Sequence, residues 1–128
     1  MLLGTYETKL IGKNRLVLPS KLRKEIGDNR IVLSVGFEPC ILGFAEKKWE
    51  EVTAPDLARP LSDPEGRDLR RKMFGKALVV EIDSHSRFVV PENIVETDLA
   101  NKIIILGAGD HFEIWEAKKW EEYSARLK

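Results

Sequence analysis

The stretch "GKNRLVLP" occupies residues 12–19 and a near-copy, "SHSRFVVP", occupies residues 84–91. Each is a polar turn, an arginine, three apolar residues and a proline. Arg15 and Arg87 are 87 − 15 = 72 residues apart, and Pro19 and Pro91 share that spacing. Two short strands can look alike by chance, so the flanking sequence decides whether a unit has been duplicated.

Working outward, the likeness continues. "YETKLIGKNRLVLP" reads as strand, polar turn, strand, with Gly12 and Asn14 as turn residues. "KALVVEIDSHSRFVVP" reads the same way, with Asp83 and Ser84 opening the turn. Each proline then precedes a short helical stretch, "SKLRKEIG" or "ENIVETDLA", because proline suits a helix start and Gly27 suits a stop. β-branched runs ending at glycine follow, "NRIVLSVG" and "NKIIILGAG", then "CILGFAE" and "HFEIWEA", then the helical "KKWEEV" and "KKWEEYSARLK". Trp49 and Trp120 are 120 − 49 = 71 apart, so one residue is lost near the "GFEP" and "GAGD" loops. Correspondence over six elements identifies a tandem duplication.

Between the copies lies "LARPLSDPEGRDLRRKMFGK", where Pro60 and Pro64, with Pro55 just before the stretch, mark a loop. Ser62 or Asp63 then caps a helix with Pro64 in its first turn and Gly75 as its stop. The predicted organisation is a first repeat over 1–54, a structured basic connector over 55–75 and a second repeat over 76–128. Each repeat has about four short strands, too few to close a core alone, so the two are expected to share one barrel-like sheet.

Composition agrees with a single core. The chain has 128 residues, 43% hydrophobic and 33% charged, as in an ordinary soluble globular protein. No apolar run approaches the ~20 residues of a membrane span. The opening "MLLGTYETK" lacks the pattern of a signal peptide, and one cysteine, Cys40, fits a reducing cytoplasm. The formal net charge is zero, with 21 basic and 21 acidic residues, but it is unevenly spread. From Lys9 to Arg30, seven basic residues face Glu25 and Asp28, a local excess of 7 − 2 = 5. From Arg67 to Arg87, six face three, an excess of 6 − 3 = 3. The acids gather in "EIWEAKKWEEY".

These residues resemble the MraZ transcriptional regulators, relatives of the AbrB/MazE swapped-hairpin barrels. The family carries two copies of an Asp-x-x-x-Arg turn followed by small apolar residues and Pro. "DSHSRFVVP" keeps Asp83, Arg87 and Pro91; "LRRKMFGKALVVEID" and "GAGDHFEIWEAKKWEE" are also similar, and the likeness spans essentially the whole chain. Two departures stand out. The first copy has Ile11 at the Asp position, and the glycine usual before the arginine is Asn14 in one copy and Ser86 in the other. Asn tolerates a left-handed backbone better than Ser. The resemblance implies a mainly β fold with short helices (α+β), a pseudo-two-fold swapped-hairpin (double-split) β-barrel. It also implies a cytoplasmic, nucleoid-associated repressor of its own operon in the bacterial division and cell-wall gene cluster. It further implies ring-like homo-oligomers that bind direct repeats of double-stranded DNA upstream of that operon.

The chemistry of the turns points the same way. An Arg at the base of a two-stranded turn projects from a rigid ribbon, and a β-ribbon fits the major groove. Its planar fork suits phosphate or the O6/N7 edge of guanine. The expected DNA-binding residues are Lys13, Asn14, Arg15, Asp83, His85 and Arg87, with Asp83 organising its turn or pairing with Arg87. The bland alternative is a surface ion pair, which is common and weak; duplication and local basic excess weigh against it. Cys40, His85 and His111 are too scattered for a metal site, and no CxxC or HExxH spacing occurs. "GAG" at 107–109 lacks the rest of a dinucleotide fingerprint, and Glu81 with Asp83 has no convergent partner for acid–base work. Trp49, Trp115 and Trp120 could stack on bases, but their apolar neighbours favour the core. No enzyme activity, cofactor, metal, membrane or small-molecule ligand is expected. The alternative function is an antitoxin-like protein-interaction module built on the same barrel.

Overall fold

A computed structural model describes residues 1–92 and 102–127. The fold is mixed α+β, mostly strands with short helices. The first repeat supplies β1 (Thr5–Lys9), β2 (Arg15–Val17), α1 (Ser20–Ile26), β3 (Arg30–Val35), β4 (Ile41–Ala45) and α2 (Glu46–Leu57). The connector forms α3 (Pro64–Phe74). The second repeat supplies β5 (Leu78–Glu81), β6 (Arg87–Val89), β7 (Lys102–Gly107), β8 (Phe112–Glu116) and α4 (Ala117–Ser124). The helix expected over "ENIVETDLA" lies largely outside the described residues.

Six strands form one sheet in the order β1-β7-β8-β4-β3-β5, and β2 pairs with β6 in a separate two-stranded ribbon. The order is the same from either end once each strand is replaced by its repeat counterpart. Each edge strand belongs to the other repeat: β1 pairs with β7, and β5 with β3. Lys9 lies opposite Lys102 as Glu81 lies opposite Arg30, the same rung 72 residues apart. The repeats therefore exchange strands about a pseudo-two-fold axis.

The single barrel-like sheet expected from the sequence is instead divided. Among the described residues, sheet and ribbon are separate hydrogen-bonded units and neither closes on itself. The reason lies at the polar turns. Pairing between β1 and β2 is reduced to the Ile11–Arg15 bridge, and the matching corner keeps the Asp83 N–H bond to the Arg87 carbonyl at 2.9 Å.

Period-two alternation sorts the strands onto two faces. Ile31 and Leu33 of β3 face one side, with Ile103, Ile105, Phe112 and Ile114, and are covered by Leu16 and Phe88 of the ribbon and Leu22 of α1. Val32 faces the other side with Leu42, Phe44 and Trp49, covered by Met73 of α3. Buried Ser34 donates to the Met73 carbonyl at 3.3 Å and ties β3 to the connector. In the second repeat, Trp115 and Tyr123 stand where Phe44 and Val52 stand in the first (44 + 71 and 52 + 71). Trp115, Trp120 and Tyr123 pack on one another with ring centroids 5.1–6.4 Å apart. Larger rings thus cover the face that Met73 and Phe74 cover in the first repeat.

Asp63 caps α3, its carboxylate accepting the Glu65 N–H at 3.1 Å, with Pro64 next to it. α1 ends at Gly27, whose left-handed φ of 72° favours a residue without Cβ. Pro55 does not begin a loop, as its sequence setting predicts; α2 runs through it to Leu57. It sits in the last turn, where the missing N–H removes a single rung. Arg70 covers the helix end by donating from Nη2 to the carbonyls of Leu57 (2.8 Å) and Arg59 (3.1 Å). Arg67 reaches the Leu61 carbonyl at 2.8 Å, and Arg71 pairs with Asp68 at 3.0 Å. Much of the connector's basic character therefore fastens the connector itself.

Candidate nucleic-acid interface

The ribbon is three rungs long: Arg15 opposite Val89, Leu16 opposite Phe88, and Val17 opposite Arg87. Leu16 and Phe88 are buried in the core, so alternation turns Arg15, Val17, Arg87 and Val89 outward together. The two arginines lie on a diagonal of that face, with ~7–8 Å between backbones at such positions. Sequence spacing alone could not place them on one surface. It is the antiparallel pairing of the two copies that does so.

The turns flank the ribbon at opposite ends. Asn14 (φ 57°) and Ser86 (φ 61°) both adopt the left-handed conformation that glycine takes most readily. That conformation costs a residue with Cβ ~1–2 kcal/mol. Each has its carbonyl held by the other repeat: Asn14 O accepts from Val90 N–H and Ser86 O from Leu18 N–H, both at 2.8 Å. The cross-repeat bonds thus offset the strain, and both turns present their arginines from equivalent corners.

The turns otherwise differ. In the second, Asp83 Oδ1 accepts the N–H groups of His85 (2.8 Å) and Arg87 (2.9 Å), and Oδ2 accepts Arg87 Nε at 2.9 Å. These bonds, the Arg87 backbone N–H foremost, hold the Asp83 carboxyl below its ordinary pKa of 3.8. In the first turn, Ile11 occupies the corresponding position, 47% exposed and with no side-chain acceptor. Gly12 there is also left-handed, with φ 56°. Arg15 is exposed, and among the described residues its side chain has no hydrogen-bond or ion-pair partner. Lys13 is exposed and lies 3.5 Å from Glu92, a weak surface pair. His85 is exposed, its Nδ1 3.5 Å from the Ser84 hydroxyl.

The six residues singled out in the sequence therefore fall into two clusters, Lys13, Asn14 and Arg15 at one corner and Asp83, His85 and Arg87 at the other. Sequence reading missed Val17 and Val89, which share the outward face; strand alternation about buried Leu16 and Phe88 was the signal that marks them. Elsewhere, burial pushes the Cys40 thiol up to about 12, aided by Glu113 and Glu38, so it is protonated at neutral pH. Among the described residues no cluster of three or more His, Cys, Asp or Glu could hold a metal ion, and no helix is long and apolar enough to cross a membrane.

Comparison with known proteins gives a family model described as "MraZ protein, putative antitoxin-like", matching residues 1–72 and again 73–128. The chain is 34% identical over 122 residues to a transcriptional regulator MraZ of Roseiflexus sp. (strain RS-1), covering 94% of this chain and 85% of that protein. It is 35% identical over 125 residues to the transcriptional regulator MraZ of Clostridium acetobutylicum, and 33% identical over 125 to that of Mycoplasmoides gallisepticum. Each of these alignments covers 97% of this chain and 87% of the relative.

Proposed function

The chain belongs to the MraZ family, and from that premise we propose that it is a sequence-specific DNA-binding repressor of the bacterial division and cell-wall gene cluster, acting on direct repeats upstream of that operon. The relatives' naming as transcriptional regulators supports a DNA partner. The observation that carries the reading is the outward face of the ribbon, where Arg15 and Arg87 stand on one diagonal of a two-stranded support. A two-stranded ribbon matches the ~12 Å width of the major groove, and Lys13 and His85 at its corners lie toward the flanking phosphates. The exchanged strands support reading sheet and ribbon together as a swapped-hairpin barrel, in which repeats 1–54 and 76–128 and connector 55–75 form one binding unit.

A few cations on a chain of zero net charge give only weak attraction to phosphate, typically ~10⁻⁴ to 10⁻⁶ M at physiological salt. A repressor needs far more, and joining subunits on repeated DNA raises avidity ~10²–10⁴-fold. A ring-like homo-oligomer bound to tandem repeats meets that need. The test is titration of purified protein against its own upstream DNA and a scrambled control at several salt concentrations, with single and tandem repeats compared. Strong preference for the tandem native repeats is expected; equal binding to scrambled DNA sinks the reading. The matched model's description favours one second reading, an antitoxin-like module that binds a protein partner, and that module would show no operator preference in the same titration.

A further inference from the structure

We propose that the two turns divide the work of recognition: Arg87, braced by Asp83, reads a base edge, whereas Arg15, with Ile11 in the bracing position, holds a backbone phosphate. The inference rests on the DNA-binding reading above and deepens it.

The bracing runs in two steps. Two backbone N–H groups fix the Asp83 carboxylate, and its other oxygen fixes Arg87 through Nε. Among the described residues, engaging Nε leaves Nη1 and Nη2 as free donors, side by side in one plane. Bidentate contact with guanine O6 and N7 requires that pair at a set orientation. A guanidinium ordered beforehand gives up little rotamer freedom on binding. A phosphate, by contrast, accepts donors from many directions and rewards charge more than angle.

Arg15 matches the second task. Ile11 offers its side chain no acceptor, and left-handed Gly12, whose counterpart Ser84 is not left-handed, gives its turn a different shape. Lys13 stands next to it, so this corner presents two loosely held cations, as a phosphate contact needs. Unequal turns on a pseudo-symmetric ribbon make each subunit read its DNA in one direction. The sequence-reading contact comes from the second repeat and the sequence-blind one from the first.

The experiment compares Arg15→Lys, Arg15→Ala, Arg87→Lys and Arg87→Ala by titration against the native repeats, against each single-base variant of one repeat, and across salt concentrations. Arg87→Ala and Arg87→Lys are both expected to level the affinities at one base pair, erasing a discrimination of about ten- to a hundredfold. Arg15→Ala is expected to weaken binding to all variants alike and to lower the salt slope by about one. Arg15→Lys should retain that slope, since a point charge suffices for phosphate. Ile11→Asp should add discrimination at a second base pair by bracing Arg15. If the Arg15 and Arg87 variants show the same profile while wild-type protein still prefers its repeats, the division of labour is overturned and the DNA-binding reading survives. If wild-type protein shows no preference, both fall.

Discussion

Leu16 of β2 and Phe88 of β6 occupy the same position in their repeats and face each other directly across the ribbon. The pseudo-two-fold axis passes between them, and again between Leu42 and Glu113 in the six-stranded sheet (113 − 42 = 71). Leu16 is fully buried and Phe88 is 2% exposed, with Phe88 packed edge-on to Phe112 at 6.3 Å. One pair of side chains thus closes the core of both repeats. Leu16→Ala should cost ~2–5 kcal/mol and Phe88→Ala ~3–5 kcal/mol. Because the pair is shared, calorimetry should show one transition moving as a unit. A split into two transitions, one per repeat, would mean that the repeats fold independently despite their exchanged strands.

Gly43 gives a second prediction. It lies opposite Phe112, and a Cβ at Gly43 would run into the Phe112 ring. The symmetry-related rung is Ile41 opposite Ile114, two medium side chains in place of one large and none. Gly43→Ala should therefore destabilise by ~1–3 kcal/mol through overpacking. Gly43→Ala combined with Phe112→Ile should recover part of that loss. A double-mutant cycle with no positive coupling would show that the Phe112 ring is not the obstacle.

The turns give a third. Asp83 holds the amides of His85 and Arg87 with its side chain and that of Ser86 with its carbonyl. Ile11 supplies only backbone: its N–H donates to the Arg15 carbonyl at 2.8 Å and its carbonyl accepts the Arg15 N–H at 3.3 Å. Amides at 84–86 should exchange with solvent more slowly than those at 12–14 in free protein. Asp83→Ala should remove most of the difference. Equal exchange in the wild type would mean that Asp83 does not organise its turn.

Part of this was legible in advance because it is written in residue order: the duplication as a repeated string, the capped connector and the Asp83–Arg87 contact as neighbours two to four residues apart. The exchange of β1 and β5 between repeats leaves no such mark, because register is decided by which hydrophobic face each strand must bury. The connector's arginines read as free positive charge; only the fold shows the carbonyls of Leu57, Arg59 and Leu61 waiting for them. By residue type Asn14 suits a left-handed backbone better than Ser86, yet both adopt it. Their backbone partners, Val90 and Leu18, come from the opposite repeat and are invisible to local reading.

His111 was weighed in the sequence only as a metal ligand, and its place in the fold supports a different, pH-dependent prediction. Its Nδ1 lies 2.7 Å from Asp110 Oδ1 and its Nε2 lies 3.0 Å from Glu113 Oε2. Both ring nitrogens face carboxylate oxygens, and only imidazolium donates from both. Glu113 is fixed in turn by Trp115 Nε1, which donates to its Oε1 at 3.0 Å, and the imidazole stacks on Phe44 of the other repeat at 5.2 Å. The bond to Glu113, with help from Asp110 and against the effect of burial, raises the His111 pKa above 6.5. The same bond lowers that of Glu113 below 4.5. A raised histidine contributes stability that is full below 6.5 and is lost as pH climbs through its folded-state value. A lowered carboxylate contributes stability that is full above 4.5 and is lost as pH falls through its folded-state value. Between about 4.5 and 6.5 both contributions are complete, so the thermal midpoint of the wild type should exceed that of His111→Gln most in that window. The gap should narrow above it as the proton leaves and one of the two bonds is lost. A gap that stays constant from pH 5 to pH 9 would show that His111 does not bind its carboxylates as a cation.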